Sequence, residues 1–382
     1  MLKISKVAAV WPLSTCLALA ALSMHAEAAV LNVCKQGCKY SIIQSAVNAA
    51  ASGDQISIAE GIYTENISID GKTLVLAGAG SALTIVDGRA ASPVFTLGST
   101  AHPEKTWHHI TLQDMTITNG ISAVSNAGGG VLVQTGATLI LRSSVVTGNH
   151  AEEEGGGVAI STPGGQTSEI VDSRIEANHA IPTRGTSFGG GVFVDRGSSL
   201  SIVDSEIREN STGAGGGGLE CFPGSQVQIQ RTRFEGNSAT GWFHLGEIGG
   251  TGGAIEADCS LSISDSTFTG NFAAAGGALN VFAYAGDPKV IVTITRTTIS
   301  GNTAGDGQND VNLEGAVISA ANNTTQHTIE IALDHVYLSQ NKNLDTQTED
   351  DVLTAGQAKV VFTDTTIHDP VNSGCIGGSC GK

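Results

Sequence analysis

The chain has 382 residues, 50 of them glycine, with a formal net charge of −17 and a pI near 4.8. Glycine without a Gly-X-Y period excludes collagen. The acidic balance lacks the basic footprint of a nucleic-acid binder and disfavours a polyanionic glycan unless a cation mediates contact.

Residues 1–28 read as a secretory signal. Lys3 and Lys6 form its positive end, an apolar stretch broken at Ser14, Thr15 and Cys16 resumes through Leu22, and Ala26-Glu27-Ala28 is a small-x-small cleavage site. The mature chain is expected to start near Ala29. Thr15 directly before Cys16 makes a poor lipoprotein box. No later apolar run approaches the roughly 20 residues that span a bilayer. An exported product, extracellular or periplasmic, with no membrane span in the mature chain is expected. Its six cysteines, Cys34, Cys38, Cys221, Cys259, Cys375 and Cys380, are expected in disulfides. Cys221 and Cys259 follow the glycine starts of consecutive repeats, which predicts a bridge between neighbouring coils. The spacings form no paired CxxC, so zinc is disfavoured.

Ser41-Ile42-Ile43-Gln44 reads as a capping box opening a helix over 41–51, with Ile42, Ile43, Ala46, Val47 and Ala50 as its apolar face and Gly53 as its stop. Strands are predicted at Gln55–Ile58, Asn66–Ile69, Thr73–Leu76, Leu83–Val86, Val94–Leu97 and His109–Leu112 by period-2 alternation.

From Gly128 a repeat becomes explicit. Strand pieces end at an asparagine in Ser143–Asn149, Asp172–Asn178, Asp204–Asn210, Arg231–Asn237, Asp265–Asn271, Arg296–Asn302 and the looser Asp334–Asn341. Glycine starts stand at Gly128, Gly155, Gly189, Gly215, Gly252, Gly276 and Gly315. Such a unit cannot close a core alone and must stack on its neighbours. Three short strands per coil make an all-β, single-stranded parallel β-helix solenoid with a short N-terminal capping helix. The expected division is a cap at 29–53, coils at 54–367 and a tail at 368–382, about ten coils and about 50 Å long at ~4.8 Å per coil.

The asparagines should stack at one turn, their amides bonding along the axis and their backbone adopting the left-handed conformation. Asp172, Asp204, Arg231, Asp265, Arg296 and Asp334 form a second column, alternating in sign from Asp204 onward, which reads as an exposed register-fixing ladder.

Insertions leave after the asparagine turn, so they should gather on one face. They carry Glu152, Glu153, Glu154, His179, Arg184, Trp242, His244, Glu247, Asp306, Asp310 and Glu314. Trp242, His244 and Glu247, flanked by Arg184, Asp306 and Asp310, are the expected ligand-binding set, because exposed aromatics stack on sugars and a nearby His or carboxylate can move protons. The alternative is a loop that tucks its aromatics onto the next coil. No cofactor is implied. Asp306–Asp310 resembles a calcium loop in composition, without the complete DxDxDG pattern and its distal Glu.

Gly252-Gly-Ala-Ile255 and Gly276-Gly-Ala-Leu279, with Phe234–Asn237 and Phe268–Asn271, resemble the GGA(I/L/V) and FxxN repeats of polymorphic outer-membrane proteins. That resemblance, over roughly 128–341, implies a right-handed β-helix of the adhesin-like, surface or secreted kind, here without the large C-terminal barrel. Gln44–Gly88 resembles the start of many pectin lyase-like β-helix proteins, and Gly61, Tyr63 and Glu65 match the first motif of pectin methylesterases. The later esterase motifs are absent, as are the polygalacturonase and pectate lyase signatures, so no catalytic residue carries over. Two functions follow as expectations. The first is non-catalytic binding of a polysaccharide or cell-surface ligand through the loop face. The second is a polysaccharide lyase or glycoside hydrolase: two carboxylates about 5–10 Å apart beside an aromatic wall would mark a hydrolase, and a Lys or Arg base beside a cluster of three acidic calcium ligands a lyase.

Overall fold

The structure is a computed structural model. It describes residues 28–99, 106–123, 127–182, 186–240, 242–243, 247–248, 250–283, 288–305, 318–322, 329–344 and 358–367. The expected leader, the tail, Gly315, Cys375 and Cys380 lie outside these, except for Ala28.

The first two coils visit three sheets, and from Ile121 onward the coils visit four in turn. One coil runs Ala137–Arg142, Val145–Thr147, His150–Ala151 and Val158–Ile160, before Ser168–Val171 opens the next. The corresponding ladders hold twelve, eleven, eight and nine strands, and strands of neighbouring coils pair in parallel. Twelve strands at about 4.8 Å spacing span about 50 Å. The fourth sheet exceeds the three strands per coil expected from sequence. Its members are two-residue strands directly after the asparagine, as in His150–Ala151 and His179–Ala180, too short to show periodicity. Val30–Val33 and Gly61–Thr64 are further strands that the pattern did not single out.

Alternation places one row of side chains from each long sheet inside. Leu139, Leu141, Ile170, Ile202, Ile229, Ile263 and Ile294 fill one side of the interior, and Val146, Ile175, Ile207, Phe234, Phe268 and Ile299 another, in one continuous core. Phe234 and Phe268, partners in register, stack with ring centroids 4.9 Å apart.

The asparagine column is continuous from Asn149 to Asn341, and every member is fully buried. Both the backbone N–H and Nδ2 of each asparagine donate to Oδ1 of the next, as from Asn210 to Asn237 at 3.1 and 3.0 Å. The left-handed backbone falls one residue earlier than expected, at Gly148, Ala177, Glu209, Gly236, Gly270, Gly301 and Gln340. The asparagine itself must point inward to bond its neighbours, so its predecessor makes the turn. The glycine column likewise sits at Gly216 rather than Gly215: Gly128, Gly155, Gly189, Gly216, Gly252 and Gly276 share φ between 63° and 71°.

The charged column is exposed and paired. Arg231 grips Asp204 through two bonds of 2.6 and 2.8 Å, and Arg296 grips Asp265 through two of 2.7 Å. These bonds hold Asp204 and Asp265 below the usual carboxylate range. Its next member is His335, not Asp334: Arg296 N–H bonds to the Asp334 carbonyl, and His335 takes the positive φ of the column.

The helix covers Ile43–Ala49, packed on the first strands, with Ile43, Ala46 and Val47 buried and Ile42 half exposed. Its expected capping box does not form. Instead the Glu65 carboxylate accepts the N–H groups of Ile43 and Gln44 at 2.8 and 3.0 Å, which ties the cap to the next coil. Gln44 bonds Ser68 and Asn48.

Cys34–Cys38 and Cys221–Cys259 are disulfides. Ala257, not Cys259, lies opposite Cys221, so the second bridge runs diagonally, across a Cα separation of 5.7 Å. It closes a 38-residue loop inside the core. Replacing both cysteines by serine should cost about 2–4 kcal/mol in a urea unfolding experiment. An unchanged midpoint would show the bridge to be energetically idle.

Candidate functional site

The nine-stranded sheet carries the chemistry on its outer face. Residues flanking the inward positions form a column in register: Leu132, Ala159, Phe193, Glu220, Glu256, Asn280 and Ser319. Two residues further on, Asp195, Phe222 and Asp258 point the same way by strand alternation. Leu132, Ala159 and Phe193 make an apolar patch separate from the interior, with Phe188 and Phe222 packed against it. Phe222 meets Phe188 and Phe193 edge-to-face at 5.4 and 4.9 Å, and the Arg196 guanidinium lies 5.7 Å from its ring centroid.

Where the aromatic patch ends, carboxylates begin. Glu220 and Glu256 are opposite each other on adjacent strands, only 2% and 8% exposed, and Asp258 is 4% exposed. Glu256 Oε1 accepts Asn280 Nδ2 at 3.0 Å, and the Thr251 side chain also bonds this carboxyl. Glu220 lies against the turn glycines: a Cβ on Gly215 would fall 2.5 Å from its Oε2, and the Gly189 N–H reaches its carboxyl. Oε2 of both glutamates is buried without a hydrogen-bond partner among the described residues.

Burial pushes Glu220 well above the ordinary carboxylate range, and the charges of Glu256, Asp258 and Glu154 add to the effect. Burial likewise raises Glu256 to about 7, against the opposing bonds from Thr251 and Asn280. Glu154 is raised to about 7 by burial and then by Asp195 and Glu153. Two carboxyls on neighbouring strands in this environment do not both ionise readily at neutral pH. Glu256, which accepts the Thr251 and Asn280 side chains, is the less strongly raised of the two.

The model of the family described as "Right handed beta helix region" matches residues 104–303, more than half of the chain. The chain belongs to this right-handed β-helix family. No curated protein sequence matches it. Among solved structures it is similar to pectate lyase Pel9A, at 14% identity and TM-score 0.53, covering 91% of this chain and 82% of that one. An alginate lyase from Paenibacillus sp. str. FPU-7 gives 14% identity and TM-score 0.44, over 86% and 99% of the two chains. Pectin methylesterase PemA from Erwinia chrysanthemi gives 10% and 0.41, over 87% and 92%. At these identities the likeness is one of fold alone.

The loop residues expected from sequence are only partly placed on this β-helix. Trp242–Phe243 and Glu247–Ile248 form a two-stranded antiparallel ribbon. Arg184, His244, Asp306, Asp310 and Glu314 lie outside the described residues, as do the side chains of Trp242 and Glu247. The stem of the 240–250 excursion is pinched shut, since a Cβ on Gly250 would fall 2.0 Å from the Ala239 carbonyl oxygen. The excursion returns to the coil at Thr251, the residue bonded to Glu256. Glu154 bridges to Phe188 on the same rim and joins the acidic group. His179 faces His150 in register and bonds Ser211 at 2.7 Å. Its pKa is lowered by burial and by His150.

Glu220 and Glu256 were not singled out from sequence, although both stand second after the Gly-Gly-x triplet of consecutive repeats. Among the described residues, the one group with three metal-ligating atoms within 4.8 Å of each other is Asp334, His335 and Asp364, on the exposed corner. No helix among the described residues is long and apolar enough to cross a membrane.

Proposed function

We propose that this is an exported glycan-acting protein whose acid–base pair is Glu220 and Glu256. The observation that carries the reading is the in-register pair itself: two glutamates, both more than nine-tenths buried, on the outer face of a parallel sheet beside the Phe188, Phe193 and Phe222 cluster. The fold shared with a pectate lyase makes polysaccharides the first substrate class to test.

In this reading Glu220 donates its proton to the glycosidic oxygen as the bond to the leaving sugar breaks. Glu256 attacks the anomeric carbon as carboxylate, and a water activated by Glu220 then releases the sugar. Parallel strands about 4.8 Å apart favour the short carboxyl separation of about 5–5.5 Å used by retaining enzymes over the ~6.5–9.5 Å of inverting ones. Both carboxyls are buried, so a sugar reaches them only when neighbouring chain moves. Trp242, His244 and Glu247, with Arg184, Asp306 and Asp310 from adjacent loops, are the proposed ligand contacts.

A second reading keeps the ligand and drops the chemistry: an adhesin-like β-helix that binds a surface glycan through the same loops. The closed stem and the ribbon pairing of Trp242–Phe243 with Glu247–Ile248 favour it, because loops held by a rigid scaffold suit recognition. The mature protein should be screened against a polysaccharide panel for binding, reducing ends and unsaturated ends. The catalytic reading expects new reducing ends, lost by about a hundredfold or more in Glu256→Gln and Glu220→Gln. Full activity in both variants would remove the pair from the mechanism. Binding without product, abolished by Trp242→Ala, would establish the second reading in its place.

A further inference from the structure

We propose that Asp54 is a receptor for the amino terminus that processing creates: cleavage after Ala28 sets the α-ammonium of Ala29 on the Asp54 carboxylate. The proposal rests on the cleavage expected from the sequence and is independent of the acid pair.

The geometry is already in place in the uncleaved chain. Ala29 N lies 2.9 Å from Asp54 Oδ1, while Oδ2 accepts the Ala51 N–H at 2.8 Å. Asp54 is 9% exposed, yet none of the ion pairs among the described residues includes it. A nearly buried carboxylate held only by neutral amides is incompletely compensated. Hydrolysis of the Ala28–Ala29 bond changes that. Water supplies the hydroxyl that completes the Ala28 carboxyl and a proton to the Ala29 nitrogen, which at neutral pH becomes an ammonium. A single neutral donor is thereby replaced by a charged group with three, on the same oxygen, and the bond becomes charge-assisted.

The position suits the fold. Gln55 N–H bonds the Ala29 carbonyl at 2.9 Å, and pairing proper begins one residue later, with Val30 opposite Gln55. Val30–Val33 is the edge strand of the twelve-stranded sheet, and beyond its pairing with Gln55–Ile58 it is held only at its far end, by the bridge from Val33 to Tyr40. Cleavage at this bond leaves that strand whole, whereas cleavage a few residues later would strip it. The Cys34–Cys38 bridge follows the strand at its far end, and the ammonium would anchor the near end.

The test uses the mature chain released from a fusion so that Ala29 is its first residue, beside the same chain starting at Ala28 and the Asp54→Asn variant of each. Acylation of the α-amine near neutral pH should be about threefold or more slower in the Ala29 chain than in its Asp54→Asn variant, because a paired amine stays protonated. The Ala29 chain should also melt about 2 °C or more above the Ala28 chain, and that difference should vanish in Asp54→Asn. Equal labelling rates would overturn the proposal. So would a melting difference that survives Asp54→Asn, and the Ala28 comparison carries this test even if that variant folds poorly. Amino-terminal sequencing of the exported protein separates the two premises: a start other than Ala29 overturns the maturation role whatever the labelling shows.

Discussion

Glu256→Gln should stabilise the protein at pH 8 by about 3 kcal/mol and leave its stability nearly unchanged at pH 4. The size follows from the rise of Glu256 from an ordinary 4.5 to about 7, a difference of 7 − 4.5, at ~1.4 kcal/mol per unit. The sign follows from linkage. A carboxyl whose pKa is raised by folding binds its proton more tightly in the folded state. Its favourable contribution is therefore complete below about 4.5 and is lost as pH rises through about 7. Glutamine imitates the protonated form and keeps an oxygen for Asn280. The wild-type chain should accordingly lose stability between pH 5 and 8, with Glu220 and the less buried Glu154 acting in the same direction. Urea unfolding of both proteins at pH 4, 6 and 8 measures the effect. A difference that does not change with pH would mean that Glu256 is not buried as an acid.

Asn237→Ala should cost about 2–4 kcal/mol. Asn237 Oδ1 accepts two bonds from Asn210, and its Nδ2 donates to Ile207 O at 2.8 Å and to Asn271 Oδ1 at 3.0 Å. Truncation strands the Asn210 N–H and the Ile207 carbonyl in a site that is fully buried. Asn66 offers the contrast: it also bonds three carbonyls, those of Gly88, Ser92 and Pro93, but in a partly exposed position where water can replace it. Asn66→Ala should therefore cost less than half as much. Equal unfolding midpoints for the two variants would remove the special weight given to the column.

Most of the architecture could be read from the chain because a solenoid repeats its instructions. The asparagines, the glycine starts and the alternating strands each recur coil after coil, so single ambiguities cancel. Register within a coil was harder. His335 replaces Asp334 in the charged column, and Gly216 replaces Gly215 in the glycine column, because one-residue shifts leave the spacing pattern almost intact. The helix cap departs from the local pattern for another reason. Ser41 offered a local partner, while the one that forms comes from Glu65, in the next coil. The acid pair escaped for a similar cause: Leu219-Glu220-Cys221 and Ile255-Glu256-Ala257 read as inward apolar strands interrupted by a polar residue. Which outward positions are covered depends on loops and turns from elsewhere. Trp242, by contrast, stands out in the sequence itself, a rare aromatic in a glycine-rich stretch.

The asparagine column has a direction. Each member's backbone N–H and one Nδ2 hydrogen face the coil that follows it in sequence, while its Oδ1 faces the coil before, from Gly120 N–H on Asn149 through Asn302 on Asn341; the second Nδ2 hydrogen donates back to a main-chain carbonyl, as from Asn210 to Ile175. A partly assembled stack therefore always ends in two waiting donors at its growing edge, and the next coil quenches them by delivering one carbonyl oxygen. Assembly that proceeds from the amino-terminal end resembles a zipper with a preferred pull, in which every stop short of the last coil leaves the same uncompensated pair. For a chain that emerges amino terminus first, the order of emergence and the order of hydrogen-bond completion are the same.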